Sequence, residues 1–231
     1  MSASSNLTIE RDQVSLRQIV TDKLRTLILV GELAPGQKLV ERDLCDGLGV
    51  SRTLLREALQ QLQAEGLIIN ILHRGPSVAS ITEDDARDIY RVRELLEAEA
   101  GRGFTLNASK EQIDELAAKV DVLRDPAVQG DSSALLAAKN GFYATMLEGC
   151  GNQIITQVLT QLNNRISILR RLSMSHGGRL ALTIVELDEI VQTVRNRDAD
   201  KVALLCQAHV ARAAQAALEE FAARNAAEKA N

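Results

Sequence analysis

The sequence predicts a mainly α protein in two parts, three helices closed by a two-stranded hairpin and then a bundle of helices alone. Three observations carry that expectation. Apolar residues recur three and four apart along most of the chain, the spacing of one helix face. Short β-rich runs flank a single turn, His73-Arg74-Gly75-Pro76. Glycine and proline punctuate densely only before residue 80, so the chain changes character there.

The first helix is read from Ser15 to Val30 on Leu16, Ile19, Val20, Leu24, Leu27 and Ile28, and Gly31 stops it. Pro35-Gly36 signals a turn. A short second helix, roughly Val40 to Leu48, ends at Gly49, a residue suited to a left-handed cap. Ser51 caps a third helix with Leu55, Ala58, Leu59 and Leu62 on one face, and Gly66 closes it. The hairpin strands are expected over 67–72 and 77–81. Thr82 then starts a helix, because Glu83, Asp84 and Asp85 stand where the helix dipole favours acids. Beyond it only helices are expected, over 82–104, 109–124, 131–148, 152–174, 178–196 and 198–224. Ser109-Lys110-Glu111-Gln112 is a capping box. The expected division is a flexible terminus over 1–14, the hairpin-closed part over 15–81, the helical part over 82–224, and a flexible end over 225–231.

The 231 residues are 45% hydrophobic and 25% charged, so a buried core is within reach and wholesale disorder is excluded. Aromatics are 2%, and all five (Tyr90, Phe104, Phe142, Tyr143, Phe221) fall after residue 80, which argues against a reader that stacks bases on rings. The longest stretch without a charge, Gly149 to Asn164, is dotted with Gln, Asn and Thr, so no membrane span is expected. The first thirteen residues lack the apolar core of a secretory signal, which leads to the expectation of a cytoplasmic protein. Cys45, Cys150 and Cys206 are scattered and read as reduced, structural thiols. Net charge is −4, with nine basic and nine acidic residues before residue 80, so the rear part carries the deficit. Any nucleic-acid contact must therefore come from a few placed arginines.

The third helix supplies them. Arg52, Thr53, Arg56, Gln60 and Gln63 project opposite its apolar face, with Arg52 and Arg56 four apart and so one above the other. Guanidinium forks there can reach guanine O6 and N7 in a major groove or clamp phosphates. Arg42 on the second helix is placed to join them, and the hairpin tip His73-Arg74-Gly75 suits a minor groove. Taken alone, two arginines at this spacing are an ordinary solvated face. Three helices followed by a two-stranded wing, however, make a winged helix-turn-helix, a unit that reads double-stranded DNA.

The stretch from Leu29 through Pro35-Gly36-Gln37-Lys38-Leu39-Val40-Glu41-Arg42-Asp43-Leu44 resembles the opening signature of the GntR family of bacterial transcription regulators. Gly49-Val50-Ser51-Arg52-Thr53-Leu54-Leu55-Arg56-Glu57-Ala58-Leu59 and Glu65-Gly66-Leu67-Ile68 are similar to its recognition helix and the start of its wing, with Leu54 where many members carry Pro. The resemblance implies DNA contacts by Arg42, Arg52 and Arg56, supported by Ser51, Thr53, Gln60, His73, Arg74 and Gly75.

The rear part resembles the FCD-type effector domain of the FadR-like branch, through Val92 to Ala100, Phe142 to Leu147 with Gly151-Asn152, and Asp198-Ala199-Asp200 with Ala208-His209. Many FCD domains hold a divalent metal with one Asp and three His, and carboxylate effectors bind at that metal. Aligned through Phe142, Lys139 stands at the Asp position and Tyr143 at the first His; Leu187 replaces the second, and His209 keeps its identity. A one-residue slip puts Asn140 at the Asp position without restoring a histidine. One ligand in four cannot hold a first-row metal, so neither metal nor cofactor is expected. Lys139, with Arg93 nearby, is expected to supply the positive charge instead, with Tyr143 and His209 adding hydrogen bonds; the plainer reading is that Tyr143 and Leu187 plug a dead cavity. The pair Arg170-Arg171 is read as complementing the dipole at its helix end, with no ligand.

The expectation is thus a homodimeric regulator on a near-palindromic DNA operator, a repressor released by a small carboxylate. No catalytic residue is expected, since no nucleophile motif, P-loop or zinc-protease pattern occurs. Two rivals are an all-helical enzyme with an appended DNA-binding domain and a constitutive DNA-binding protein whose rear part only dimerises.

Overall fold

The computed structural model describes residues 16–230, so the expectation for 1–14 lies outside the described residues. The chain opens with α1 (Leu16–Val30), α2 (Glu41–Leu48) and α3 (Arg52–Ala64), followed by β1 (Ile68–Ile71) and β2 (Gly75–Val78). α1 buries Val20, Leu24 and Ile28, and α3 buries Leu55, Ala58, Leu59 and Leu62, the faces their spacing predicts. Gly49 ends α2 in the left-handed region at φ 66°, which turns the chain within two residues toward Ser51. The Ser51 hydroxyl then accepts from the Leu54 amide at 3.3 Å and caps α3.

β1 and β2 pair antiparallel, Ile68 opposite Val78 and Ile71 opposite Gly75. The second strand therefore begins at Gly75, not at Ser77, and ends at Val78. The 36–39 segment explains the shift. The Leu39 amide donates to the Pro76 carbonyl at 2.8 Å and the Val78 amide to the Gln37 carbonyl at 2.9 Å, which holds Pro76 to Val78 in line with the sheet.

Among the described residues every element after Val78 is a helix: α4 (Glu83–Asn107), α5 (Lys110–Arg124), α6 (Pro126–Gln129), α7 (Ser132–Gly149), α8 (Gln153–Gln161), α9 (Asn163–Ser175), α10 (Arg179–Arg195) and α11 (Ala199–Ala230). Thr82 with Asp85 and Ser109 with Gln112 form reciprocal capping boxes. Three expectations need correction. The helix expected over 152–174 is two helices, parted at Leu162. No Gly or Pro marks that break; Asn163 and Asn164, poor helix formers, follow it, and Asn164 makes a tertiary hydrogen bond to Glu65. α6 is a single extra turn started by Asp125 and Pro126. α11 runs to Ala230, past residue 224, because its end is alanine-rich and holds no breaker. No helix among the described residues is long and apolar enough to cross a membrane.

Each part has its own core. Leu24, Leu55, Leu62, Leu67 and Val78 centre the first, and Tyr90, Phe104, Leu116, Phe142, Leu169 and Val210 lie in the second. α9 joins them: Ile168 packs into the first core, and Asn164 Nδ2 donates to Glu65 at 3.1 Å. Glu65 is held in turn by a bidentate Arg25 at 2.7 and 2.8 Å. The three cysteines are free, two of them buried, as expected of structural thiols.

Candidate nucleic-acid interface and buried cavity

The buried stripe of α3 fixes which of its residues face outward. Arg52, Thr53, Arg56 and Gln60 are all exposed, on the side opposite Leu55 and Leu59. Arg42 on α2 is 81% exposed and has one distant carboxylate partner, Asp46 at 3.9 Å. Arg56 is 65% exposed, and its Nε donates to both oxygens of Glu41 at 3.0 and 3.1 Å. Glu41 was not singled out from the sequence. It ties α2 to α3 and steadies the Arg56 guanidinium, leaving the rest of the fork toward solvent. Ser51 is at the rim of this face as the α3 cap.

The hairpin turn holds His73 at φ 63° and Gly75 at φ 87°, both left-handed, with His73 exposed. Arg74 is also exposed but is tied back, its Nη2 donating to the Gly36 carbonyl at 3.1 Å. The structure thus brings Arg42, Arg52, Thr53, Arg56 and Gln60 onto adjoining helices and puts His73 to Gly75 at a separate tip.

The rear part encloses charge. Arg93, Glu97, Lys139, Arg170, Arg179 and His209 are each 4% exposed or less. They come from five helices, α4, α7, α9, α10 and α11. Arg93 Nε donates to Glu97 at 2.7 Å, and Arg170 Nη2 stands 3.8 Å from the same carboxylate. The Arg170 guanidinium lies 3.8 Å from the Tyr143 ring centre, a cation–π contact, and its Nη1 donates to Asn140 Oδ1 at 2.8 Å. Arg179 Nη2 donates to Glu186 at 2.7 Å, and Glu186 also pairs with His209 Nδ1 and, at 2.8 Å, with Arg212.

Burial tunes these groups. Lys139 is held well below the usual lysine range by desolvation, then by the cations Arg170, Arg179 and Arg93. Desolvation lowers His209 to about 4, against the pull of Glu186, so the ring is neutral near pH 7 and donates from Nδ1 to that carboxylate. Burial would raise Glu186, but hydrogen bonds from His209 and Arg179 overcome it and leave the carboxyl at about 2. Burial and then Glu97 push the Tyr143 phenol up, so it stays protonated.

Of the residues expected here, Arg93, Lys139, Tyr143 and His209 do gather. Tyr143 and His209 ring centres are 6.5 Å apart, and Lys139 feels the Arg93 charge. Leu187 is fully buried in the surrounding apolar core. A divalent metal does not fit this set. Glu186 braces His209 Nδ1 as a carboxylate does behind a metal-binding histidine, but the other positions offer an ammonium, a protonated phenol and a hydrocarbon. Arg93, Arg170 and Arg179 add repulsion to any cation.

Arg170 overturns its reading as a residue at a helix end. α9 runs on to Ser175, and Arg170 lies on the buried stripe Ile166-Leu169-Arg170-Ser173. Arg179 and Glu97 were missed too. Each sits at helical spacing within an inward stripe, Arg179 with Thr183 and Leu187, Glu97 with Arg93 and Phe104, so the signal was present in the periodicity.

Comparison with known proteins gives two family matches along the chain. The family "Bacterial regulatory proteins, gntR family" matches residues 16–78, and the FCD domain matches residues 88–212. The HTH-type transcriptional regulator YdhC of Bacillus subtilis (strain 168) is 24% identical over 178 residues, 77% of this chain and 80% of that protein. The "probable D-xylose utilization operon transcriptional repressor" of Paenarthrobacter nicotinovorans is 26% identical over 183 residues, 78% of this chain and 77% of that one. The solved structure of E. coli McbR/YncC superposes with a TM-score of 0.75 at 21% identity, covering 90% of this chain and 99% of that one, a likeness of fold. The winged helix-turn-helix, the all-helical partner and both family matches lead to one conclusion: the chain belongs to the GntR family of bacterial regulatory proteins with an FCD domain, and is a DNA-binding transcriptional regulator, not an enzyme.

Proposed function

We propose that the protein is a cytoplasmic repressor that binds a near-palindromic operator as a homodimer and is released by a small organic acid held in the FCD cavity. The observation that carries this reading is the pairing of two features in one chain. Arg42, Arg52, Thr53, Arg56 and Gln60 present an unobstructed polar face, while Arg93, Lys139, Tyr143 and His209 converge in the sealed interior. Ser51, His73, Arg74 and Gly75 would contact the DNA backbone and minor groove. One winged domain spans a single half-site, so two copies related by a twofold axis match a palindrome. A relative carries the word repressor in its name, which supports the sign of regulation.

Release requires the acid to bind one placement of the DNA-reading heads better than the other; equal affinity for both would change nothing. α9, which lines the cavity and seats α1, is the element able to couple the two.

The test is operator selection from random duplex DNA followed by anisotropy titration at fixed salt, with oligomeric state measured by light scattering. A palindromic consensus bound by a dimer, and loosened by a carboxylic acid that also raises the melting temperature, is the expected result. A dimer that selects an operator but responds to no acid would replace this reading with a constitutive DNA-binding protein. A monomer with no sequence preference would overturn it.

A further inference from the structure

The wing carries an apolar side chain at its foremost point. Leu72 is 83% exposed, the most exposed large hydrophobic residue among those described. It stands at the apex of the hairpin turn, just after Ile71, the last residue of β1. The Arg74 amide donates to the Ile71 carbonyl at 3.0 Å and closes that turn, and His73 follows the apex at φ 63°. A left-handed histidine is uncommon and strained, and it persists only where its surroundings hold it.

The hairpin behind this tip is stiff, and its cation is withdrawn. The 36–39 segment pairs along β2, with the Gly36 amide donating to the Val78 carbonyl at 3.0 Å and a bridge between Lys38 and Ser77. The wing is thus braced, whereas a two-stranded ribbon alone is marginal in water. Arg74 Nη2 donates to the Gly36 carbonyl at 3.1 Å, which draws the guanidinium toward the base of the hairpin, where Gly36 meets Val78. Leu72 and His73 are left foremost. Asn70, two residues before Leu72, borders a groove shared with Arg56, Gln60 and Gln63 of α3. The wing therefore continues the polar face of that helix, and Leu72 lies at the far end of it.

We propose that Leu72 is a wedge that enters the minor groove beside each half-site and selects there an easily unstacked pyrimidine–purine step, TA above all, at which the duplex bends. This rests on the operator reading above and adds to it a preference outside the major groove. Leucine has no donor or acceptor, so it cannot read the edges of the minor groove, where A·T and T·A look alike. It senses instead the cost of parting two stacked pairs, low at a TA step and high in a stiff A-tract. The withdrawal of Arg74 fits, because an arginine at the tip would seek the narrow, strongly negative groove of an A-tract.

The test uses the operator that the full chain selects from random duplex DNA, remade as a set with TA or AT at each flanking step in turn. Anisotropy titrations at several salt concentrations compare the parent with Leu72→Ala and Leu72→Met, and energy transfer between end labels reads the bend. The parent should prefer TA at one flanking step by about tenfold, within the cost of deforming a short site, and should bend that duplex. Leu72→Ala should lose most of the preference and of the bend but keep the salt dependence, since leucine neutralises no phosphate. Leu72→Met, a wedge of similar size, should keep all three. Both variants should retain the parent's urea midpoint, because the side chain lies in solvent.

A parent with no TA preference at any flank, or a Leu72→Ala protein that retains the preference and the bend, would overturn the wedge and leave the operator reading standing. So would a Leu72→Ala protein whose oligomeric state changes in light scattering, which would give the tip to a protein contact. A full chain that selects no operator would remove both.

Discussion

Arg170 and Arg171, adjacent on α9, face opposite sites: the Arg170 guanidinium lies 3.8 Å from the Tyr143 ring centre at the cavity, and that of Arg171 packs on Gly31 at the end of α1. A Cβ built on Gly31 would stand 2.8 Å from Arg171 Nη1. One rigid helix therefore forms a wall of the ligand cavity and the seat of the DNA-reading head. A movement of α9 that eases Arg170 onto a ligand must shift that seat, because packed interfaces change between discrete arrangements rather than deform smoothly.

Gly31→Ala tests the seat. Gly31 has φ 86°, so alanine there is strained and also meets Arg171. The expected loss is about 1–2 kcal/mol of unfolding stability, read from urea midpoints. In an Arg171→Ala background the same change should cost less, because the clash is gone and only backbone strain remains. Equal costs in both backgrounds would show that Arg171 does not bear on Gly31 in solution.

Arg52→Ala and Arg56→Ala should each cost about 1–3 kcal/mol of discrimination between operator and random DNA. Glu41→Gln should act differently. Removing an acid beside the DNA face raises non-specific affinity, while freeing the Arg56 Nε from its two contacts with Glu41 lowers the specificity ratio. Anisotropy titrations against both DNAs at one salt concentration separate the effects. A Glu41→Gln protein with an unchanged ratio would deny Glu41 any positioning role.

Much of this was legible in the sequence because it depends on local pattern. Leu55, Ala58, Leu59 and Leu62 recur at helical spacing, which assigns the buried face of α3 and, by subtraction, exposes Arg52 and Arg56. Thr82 and Ser109 announce their helices through capping chemistry that needs no partner elsewhere in the chain. The cavity was read only in part. Arg170, Arg179 and Glu97 look like surface residues by type, and only their place within apolar stripes betrays them. What keeps them inside is mutual: Glu97 stands beside Arg93 on its own helix and Arg170 on another, and Arg179 beside Glu186, so each buried charge has a partner. The break at Leu162 was hidden for the same reason, since Asn163 borders the cavity and Asn164 reaches Glu65.

Lys139→Met should stabilise the ligand-free protein. The ammonium is 1% exposed, and burial, Arg170, Arg179 and Arg93 all oppose its charge. A thioether of similar length removes that opposition, and the expected gain is about 1–2 kcal/mol near pH 7. The pH dependence has a definite sign. With the folded pKa depressed, the unfolded chain binds more protons, so this contribution to stability is full above the ordinary lysine range and is lost as pH falls toward the folded value. The Lys139→Met gain should therefore shrink as pH rises toward 10.5. A gain that stays constant with pH would mean that Lys139 is hydrated rather than sealed.

His209 predicts the acid limit of the fold. Desolvation lowers it from 6.5 to about 4 against the pull of Glu186, so the folded protein binds fewer protons than the unfolded chain across that interval. Its contribution is full above pH 6.5 and is lost progressively as pH falls to about 4; fully expressed, it is about 3 kcal/mol. Glu186, at about 2 against an ordinary 4.5, extends the loss below that range. His209→Gln keeps a side chain able to donate to Glu186 but cannot titrate. Urea midpoints measured from pH 7 to 4 should fall more steeply for the parent than for this variant, with the curves converging in the acid. Parallel curves would place the His209 ring in contact with water and remove it from the sealed cluster.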